Sequence, residues 1–120
     1  MAARILVVED DQVMARLVTR ALERAGYETI HAENATIAAD ALSDFDFDLI
    51  VMDLFLPDGD GLALCRQIRT AHDLPVVMIS SLEEDIGKSV VHTELGPQAF
   101  LSKPFKFDVF LRQIAELIEH

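Results

Sequence analysis

Polar residues fall where four short apolar runs stop, and their chemistry is complementary. Ile5-Leu6-Val7-Val8 is followed by Glu9, Asp10 and Asp11; Leu49-Ile50-Val51-Met52 by Asp53; Val76-Val77-Met78-Ile79 by Ser80 and Ser81; Ala99-Phe100-Leu101 by Ser102, Lys103 and Pro104. Carboxylates gathered in a partly buried pocket repel one another, so some must be protonated or a cation must neutralise them. The candidate ligands are all oxygens, with no His or Cys among them, and such a set suits a hard cation such as Mg²⁺. A carboxylate beside Mg²⁺ can act as a nucleophile on phosphorus and form an aspartyl phosphate. The charge that develops needs an ammonium and a hydroxyl donor, which Lys103 and Ser80 supply.

That chemistry requires a fold that brings the ends of the apolar runs together. Continuous apolar runs of this length read as strands buried on both faces of a parallel sheet. A fifth segment, Tyr27–His31, alternates polar and apolar residues and reads as a strand nearer an edge. Helical patterns lie between them. From Gln12 to Ala25 the stripe is Val13, Met14, Leu17, Val18, Ala21 and Leu22, and Gly26 stops the helix. Asp11 reads as the cap of this helix, and Asn34 caps a second from Ala35 to Leu42. Asp60 caps a third from Gly61 to Thr70, with Leu62, Leu64, Cys65 and Ile68 apolar. A weakly periodic segment runs from Leu82 to Leu95 and closes on Gly96-Pro97; the run Glu83-Glu84-Asp85 reads as its solvated start. The last helix is expected over Asp108–Glu119, with Phe110, Leu111, Ile114, Leu117 and Ile118 inward. Strand and helix alternate five times, which implies right-handed crossovers and an α/β doubly wound sheet with helices on both faces. Ligands of such sheets bind at the carboxyl ends of the strands.

Bulk properties narrow the function. The chain has 120 residues, 51% of them hydrophobic, enough for one domain filling residues 1–120. Its formal net charge of −11 opposes nucleic acid and anionic lipid and favours basic partners. The single cysteine, Cys65, forms no internal disulfide and reads as a small core residue, in keeping with a reducing compartment. Met1-Ala2-Ala3-Arg4 leads straight into the first strand without a signal peptide, and no apolar run approaches a membrane span, so the expected location is cytoplasmic. His31, His72, His92 and His120 share no ligand spacing and read as surface residues.

Four segments in order resemble the signature of response-regulator receiver domains of two-component systems. They are Ile5-Leu6-Val7-Val8-Glu9-Asp10-Asp11, Asp53-Leu54-Phe55-Leu56-Pro57-Asp58-Gly59-Asp60-Gly61, Pro75-Val76-Val77-Met78-Ile79-Ser80 and Lys103-Pro104-Phe105. Each motif alone is weak; four in register over the whole chain are specific. The resemblance implies a flavodoxin-like (βα)5 fold with strand order 2-1-3-4-5 and no output domain in this chain. It implies Asp53 as phosphoacceptor and Asp10 as a direct Mg²⁺ ligand. Glu9 then binds the ion through water, and Phe55 through its backbone carbonyl. Lys103 contacts the phosphoryl oxygens, the Lys103–Pro104 bond is cis, Ser80 is the switch hydroxyl, and Phe100 is the aromatic that follows it.

The implied function is a phosphorylation switch rather than a turnover enzyme. The phosphoryl donor would be a sensor histidine kinase or a histidine phosphotransfer protein. The output would go to a downstream protein or a covalently linked output domain, from a monomer or a phosphorylation-dependent dimer. Ser80 and Phe100 stand where Thr and Tyr are common, and Gly96-Pro97-Gln98 departs from the usual lead into the last strand. Side chains two residues beyond Asp53 and Ser80, namely Phe55 and Leu82, are expected over the mouth of the site, where apolar bulk would slow hydrolysis. The competing readings are a degenerate receiver that binds a protein without phosphotransfer, an aspartyl phosphatase and a nucleotide-binding domain. The phosphatase lacks its second Asp, because Phe55 stands there. The nucleotide domain lacks any glycine-rich phosphate loop after the first strand.

Overall fold

The computed structural model describes residues 2–82, 89, 91 and 93–119. The major strands are β1 (Arg4–Val8), β2 (Glu28–Ala32) and β3 (Leu49–Asp53). A small antiparallel pair follows, β4 (Phe55–Leu56) with β5 (Gly59–Asp60), and then β6 (Val76–Ser80) and β7 (Ala99–Ser102) complete the set. The helices are α1 (Gln12–Arg24), α2 (Ala35–Asp44), α3 (Gly61–His72) and α4 (Phe107–Ile118). The main sheet is parallel in the order β2-β1-β3-β6-β7, the expected 2-1-3-4-5 once the small hairpin is set aside.

Alternation along the strands builds two cores. Leu6, Val8, Ile50, Met52, Val76, Met78 and Phe100 face one way, toward Ala38 and Ala41 of α2 and Leu64, Cys65 and Ile68 of α3. Ile5, Val7, Leu49, Val51, Val77, Ile79 and Ala99 face the other way, toward Val18 and Leu22 of α1 and Phe110 and Ile114 of α4. Each fully buried Val, Leu or Ile stabilises the fold by about 1.5–3 kcal/mol over an exposed one. β1 and β3 are covered on both faces, which is why they read as unbroken apolar runs. β2 lies at an edge, as its alternating pattern predicted.

The elements start and stop for identifiable reasons. Asp11 accepts from Val13 N (2.9 Å) and Met14 N (3.2 Å), so it caps α1 as expected. Gly26, at φ +98°, ends that helix. Asn34 Oδ1 takes the Ile37 N–H (2.8 Å) and Asp60 Oδ1 the Leu62 N–H (2.9 Å). α3 runs to His72, beyond the expected Thr70, and closes on Asp73 in the left-handed region at φ +50°.

The expected α1 stripe needs correction. Val13 is 67% and Leu17 48% exposed, while Ala15, Val18 and Leu22 are buried. Small Ala15 lets the helix approach the sheet along a narrow 3–4 seam, leaving the flank of the stripe in solvent. The segment expected to be helical from Leu82 to Leu95 falls mostly outside the described residues, as do Glu83-Glu84-Asp85, His92 and His120.

Candidate functional site

Strand register assembles the site. Val8 is level with Met52, so Glu9 and Asp53 emerge side by side. Asp53 is level with Ile79, and Ser80 with Ser102, so Ser80 and Lys103 emerge on the neighbouring strands. One carboxylate oxygen each from Glu9, Asp10 and Asp53 lies within 4.8 Å of the others. Glu9 and Asp53 are buried and Asp10 is at the exposed rim. Lys103 Nζ donates to Glu9 Oε1 at 2.6 Å and to Asp53 Oδ2 at 2.9 Å. The other Asp53 oxygen accepts the Phe55 N–H at 3.0 Å, and Glu9 Oε2 accepts the Asp11 N–H at 3.3 Å.

The electrostatics follow from this crowding. Burial pushes the Glu9 carboxyl up to about 7; the Lys103 hydrogen bond opposes that rise and the adjacent Asp53 adds to it. Burial pulls the Lys103 ammonium down, but its hydrogen bonds and charge contacts with Glu9 and Asp53 outweigh this and raise its pKa, so it stays charged. Three carboxylates facing one ammonium leave two formal negative charges, the complement of a divalent cation. The donor set fits Mg²⁺: the oxygens are hard, and octahedral ligands at about 2.0–2.1 Å span roughly 4 Å across the ion.

Ser80 is fully buried and its Oγ accepts the Leu82 N–H at 3.2 Å, while its carbonyl accepts the Lys103 N–H at 2.6 Å. Leu82 in turn offers its carbonyl to Ser102 Oγ at 2.7 Å. The Lys103–Pro104 bond is cis. Phe100 is 5% exposed and packs inward in the core shared with Met78. Phe55, 56% exposed, stands free of the core, whereas Leu82 is half-buried against it. Of the two apolar residues expected at the mouth, Phe55 is therefore the exposed one.

Three features were not visible in the motifs. His31, read as a surface residue, is half-buried with Nε2 2.7 Å from the Glu9 carbonyl; His72 is exposed as expected. Asp58 reaches across to the start of α2, accepting from Ala35 N (2.8 Å), Thr36 N (3.1 Å) and Thr36 Oγ1 (2.7 Å). The Ala35 N–H and then the Thr36 hydroxyl hold its carboxyl below the usual range. Gly61 has no room for a side chain: a Cβ there would lie 2.5 Å from the Asp53 carbonyl oxygen. Cys65 is a buried core thiol whose pKa burial pushes up to about 11, so it stays protonated.

Known proteins share this fold. The family model of the response regulator receiver domain matches residues 5–115, and the chain belongs to that family. The receiver domain of a signal transduction histidine kinase from Syntrophus aciditrophicus is 35% identical, with a TM-score of 0.86 over 98% of this chain and 91% of that one. A CheY-like receiver domain protein from Methanospirillum hungatei JF-1 is 26% identical, with a TM-score of 0.90 over 99% and 95%. NtrX from Brucella abortus is 38% identical, with a TM-score of 0.88; the match covers 99% of this chain and 27% of NtrX.

Proposed function

We propose that the chain is a Mg²⁺-dependent phosphoacceptor switch, with Asp53 as the acceptor. The observation that carries this is the Lys103 ammonium shared between Glu9 and Asp53, with Asp10 alongside and two negative charges left over. Asp10 and Asp53 would hold the ion directly, with the Phe55 carbonyl, and Glu9 through water. When bound, the ion supplies charge neutralisation at the phosphoryl oxygens. An Asp53 oxygen attacks phosphorus as the P–N bond of a donor phosphohistidine breaks; the electron pair leaves with the imidazole, which takes up a proton. Lys103 already touches Asp53 and turns its ammonium to the arriving phosphoryl oxygens. Ser80 spends a lone pair on Leu82 N–H and keeps its own proton to donate.

Signal output follows from the same bond. Drawing the Ser80 hydroxyl onto the phosphoryl group releases Leu82 N–H, and Leu82 is tied to β7 through Ser102. Phe100, packed inward on β7 beside Met78, is the aromatic whose packing would answer that movement. The phosphoryl group then shifts a balance between two packings of that edge. The donor is a sensor histidine kinase or histidine phosphotransfer protein, and the changed face is read by a protein target or linked output domain. The working place is the cytoplasm. Among the described residues no helix is long and apolar enough to cross a membrane. The chain performs no turnover beyond gaining and losing its own phosphoryl group.

The test is labelling with acetyl phosphate. Wild type should gain a base-labile phosphoryl group only with Mg²⁺, and Asp53→Asn none. Asp10→Ala should lose Mg²⁺ affinity while remaining folded. No incorporation by the wild type would favour the degenerate binding module instead, and normal labelling of D53N would move the acceptor elsewhere.

A further inference from the structure

The strand ladder between β1 and β2 stops one rung short at the acidic turn. Its last bond is Glu9 N–H to the Ala32 carbonyl at 3.0 Å. The next parallel rung needs the Asn34 N–H on the Glu9 carbonyl. Asn34 instead leaves the sheet as the cap of α2, and among the described residues no backbone N–H donates to that carbonyl. Glu9 is fully buried, so its oxygen needs a partner. The partner is the His31 side chain, with Nε2 at 2.7 Å. A carbonyl oxygen only accepts, so Nε2 carries the proton and donates.

We infer that His31 is a positioning residue for the cation site: its Nε2–H replaces the missing rung and fixes the peptide that aims Asp10. The Glu9 carbonyl belongs to the planar unit joining Glu9 to Asp10, so holding that oxygen sets the place of the Asp10 nitrogen and Cα. Glu9 is held independently, through its side chain on Lys103 and the Asp11 N–H. Asp10 is exposed and has no hydrogen bond of its own among those seen, so its aim depends on its backbone. The ring faces α1 across a cleft of about 210 Å³ that it lines with Gln12, Ala15, Arg16 and Thr19.

This inference rests on the proposed reading of Glu9, Asp10 and Asp53 as a Mg²⁺ site, and the test separates the two. Mg²⁺ is titrated into wild type, His31→Leu and His31→Gln, with the dissociation constant read from backbone amide shifts and the melting temperature taken in metal-free buffer. Leu fills similar space without a donor; Gln carries an N–H of comparable reach. H31L should bind Mg²⁺ about tenfold more weakly, at the lower end of what loss of an outer-shell partner costs. H31Q should remain within about threefold of wild type by the same reasoning. Wild-type affinity in H31L overturns the inference alone, as does an H31Q as weak as H31L. No Mg²⁺ binding by the wild type removes the proposed function and the inference with it. Should H31L fail to fold, His31→Asn, whose amide falls short of the carbonyl, takes its place under the same criteria.

Discussion

Gly61→Ala is a severe perturbation of one methyl group. Its Cβ would stand 2.5 Å from the Asp53 carbonyl oxygen, 2.6 Å from the Leu54 oxygen and 2.8 Å from the Leu54 Cα. The first contact is about 0.9 Å short of ordinary van der Waals separation. All three neighbours are backbone, so no side-chain rotation relieves the clash. Either the start of α3 lifts, straining the Gly61 N–H bond to the Leu54 carbonyl (2.9 Å), or the Asp53–Leu54 peptide moves. Leu64, Cys65 and Ile68 hold α3 in the core and resist the first route. Overpacking costs about 1–3 kcal/mol, and a backbone-only clash belongs in the upper half of that range. For a chain of 120 residues, 2–3 kcal/mol lowers the melting temperature by roughly 8–12 °C. The second route displaces the acceptor by a good part of an ångström, where about 1 Å costs on the order of 10² in rate. Phosphorylation by acetyl phosphate should therefore slow by roughly tenfold or more. The control is Gly59→Ala, whose Cβ would meet only Ala35 Cβ, at 3.8 Å; it should be near neutral in both assays. A G61A protein within about 0.5 kcal/mol of wild-type stability, labelling at an unchanged rate, would refute the close-approach argument.

Two further outcomes follow from the same site. Glu9 ionises near 7 in the folded chain against 4.5 for the free group, so the metal-free folded state binds the extra proton between those values. The stability this group contributes is full below about pH 4.5 and is lost as pH rises through about 7; the loss is about 3 kcal/mol at 1.36 kcal/mol per pH unit. Urea unfolding in chelator at pH 5 and pH 8 should show wild type falling relative to Glu9→Gln, with Mg²⁺ restoring wild type at pH 8; parallel profiles would sink the assignment. Phe55, more than half exposed beside Asp53, offers an incoming water bulk and no hydrogen bond. Phe55→Asn should shorten the life of the Asp53 phosphate by roughly tenfold, less than the ~10² of a dedicated base; equal decay, or a faster wild type, would overturn that reasoning.

The sheet was legible because its burial is two-sided. β1, β3 and β6 have no solvent face, so each appears as an uninterrupted apolar run, and a polar residue at its end marks where the strand leaves the core. The caps were legible for a related reason: Asp11, Asn34 and Asp60 act on N–H groups two or three residues away, within reach of local pattern. The α1 stripe was less so. Periodicity locates an apolar face, but how much of it is covered depends on the neighbours, and Val13 and Leu17 lie beyond the edge of what the sheet and α4 cover. The β4–β5 hairpin, two residues in each strand, is too short to carry any periodic signal.

The candidate site divides along the same line. Glu9, Asp10, Asp53, Ser80 and Lys103 stand out because each is polar within two residues of the end of an apolar run, a contrast written in neighbouring residues. His31 has no such contrast. It sits within β2, among alternating residues, and its partner is a main-chain oxygen 22 positions earlier. Only the register Val7↔His31 brings its ring to the end of β1, and only the departure of Asn34 into α2 leaves a carbonyl there to be met. Asp58 is hidden similarly, since two of its three bonds come from the Ala35 and Thr36 backbone N–H groups, which any sequence would present. Sequence pattern thus reveals groups chosen for their own chemistry. Groups chosen to satisfy someone else's backbone become visible only when the chain is folded.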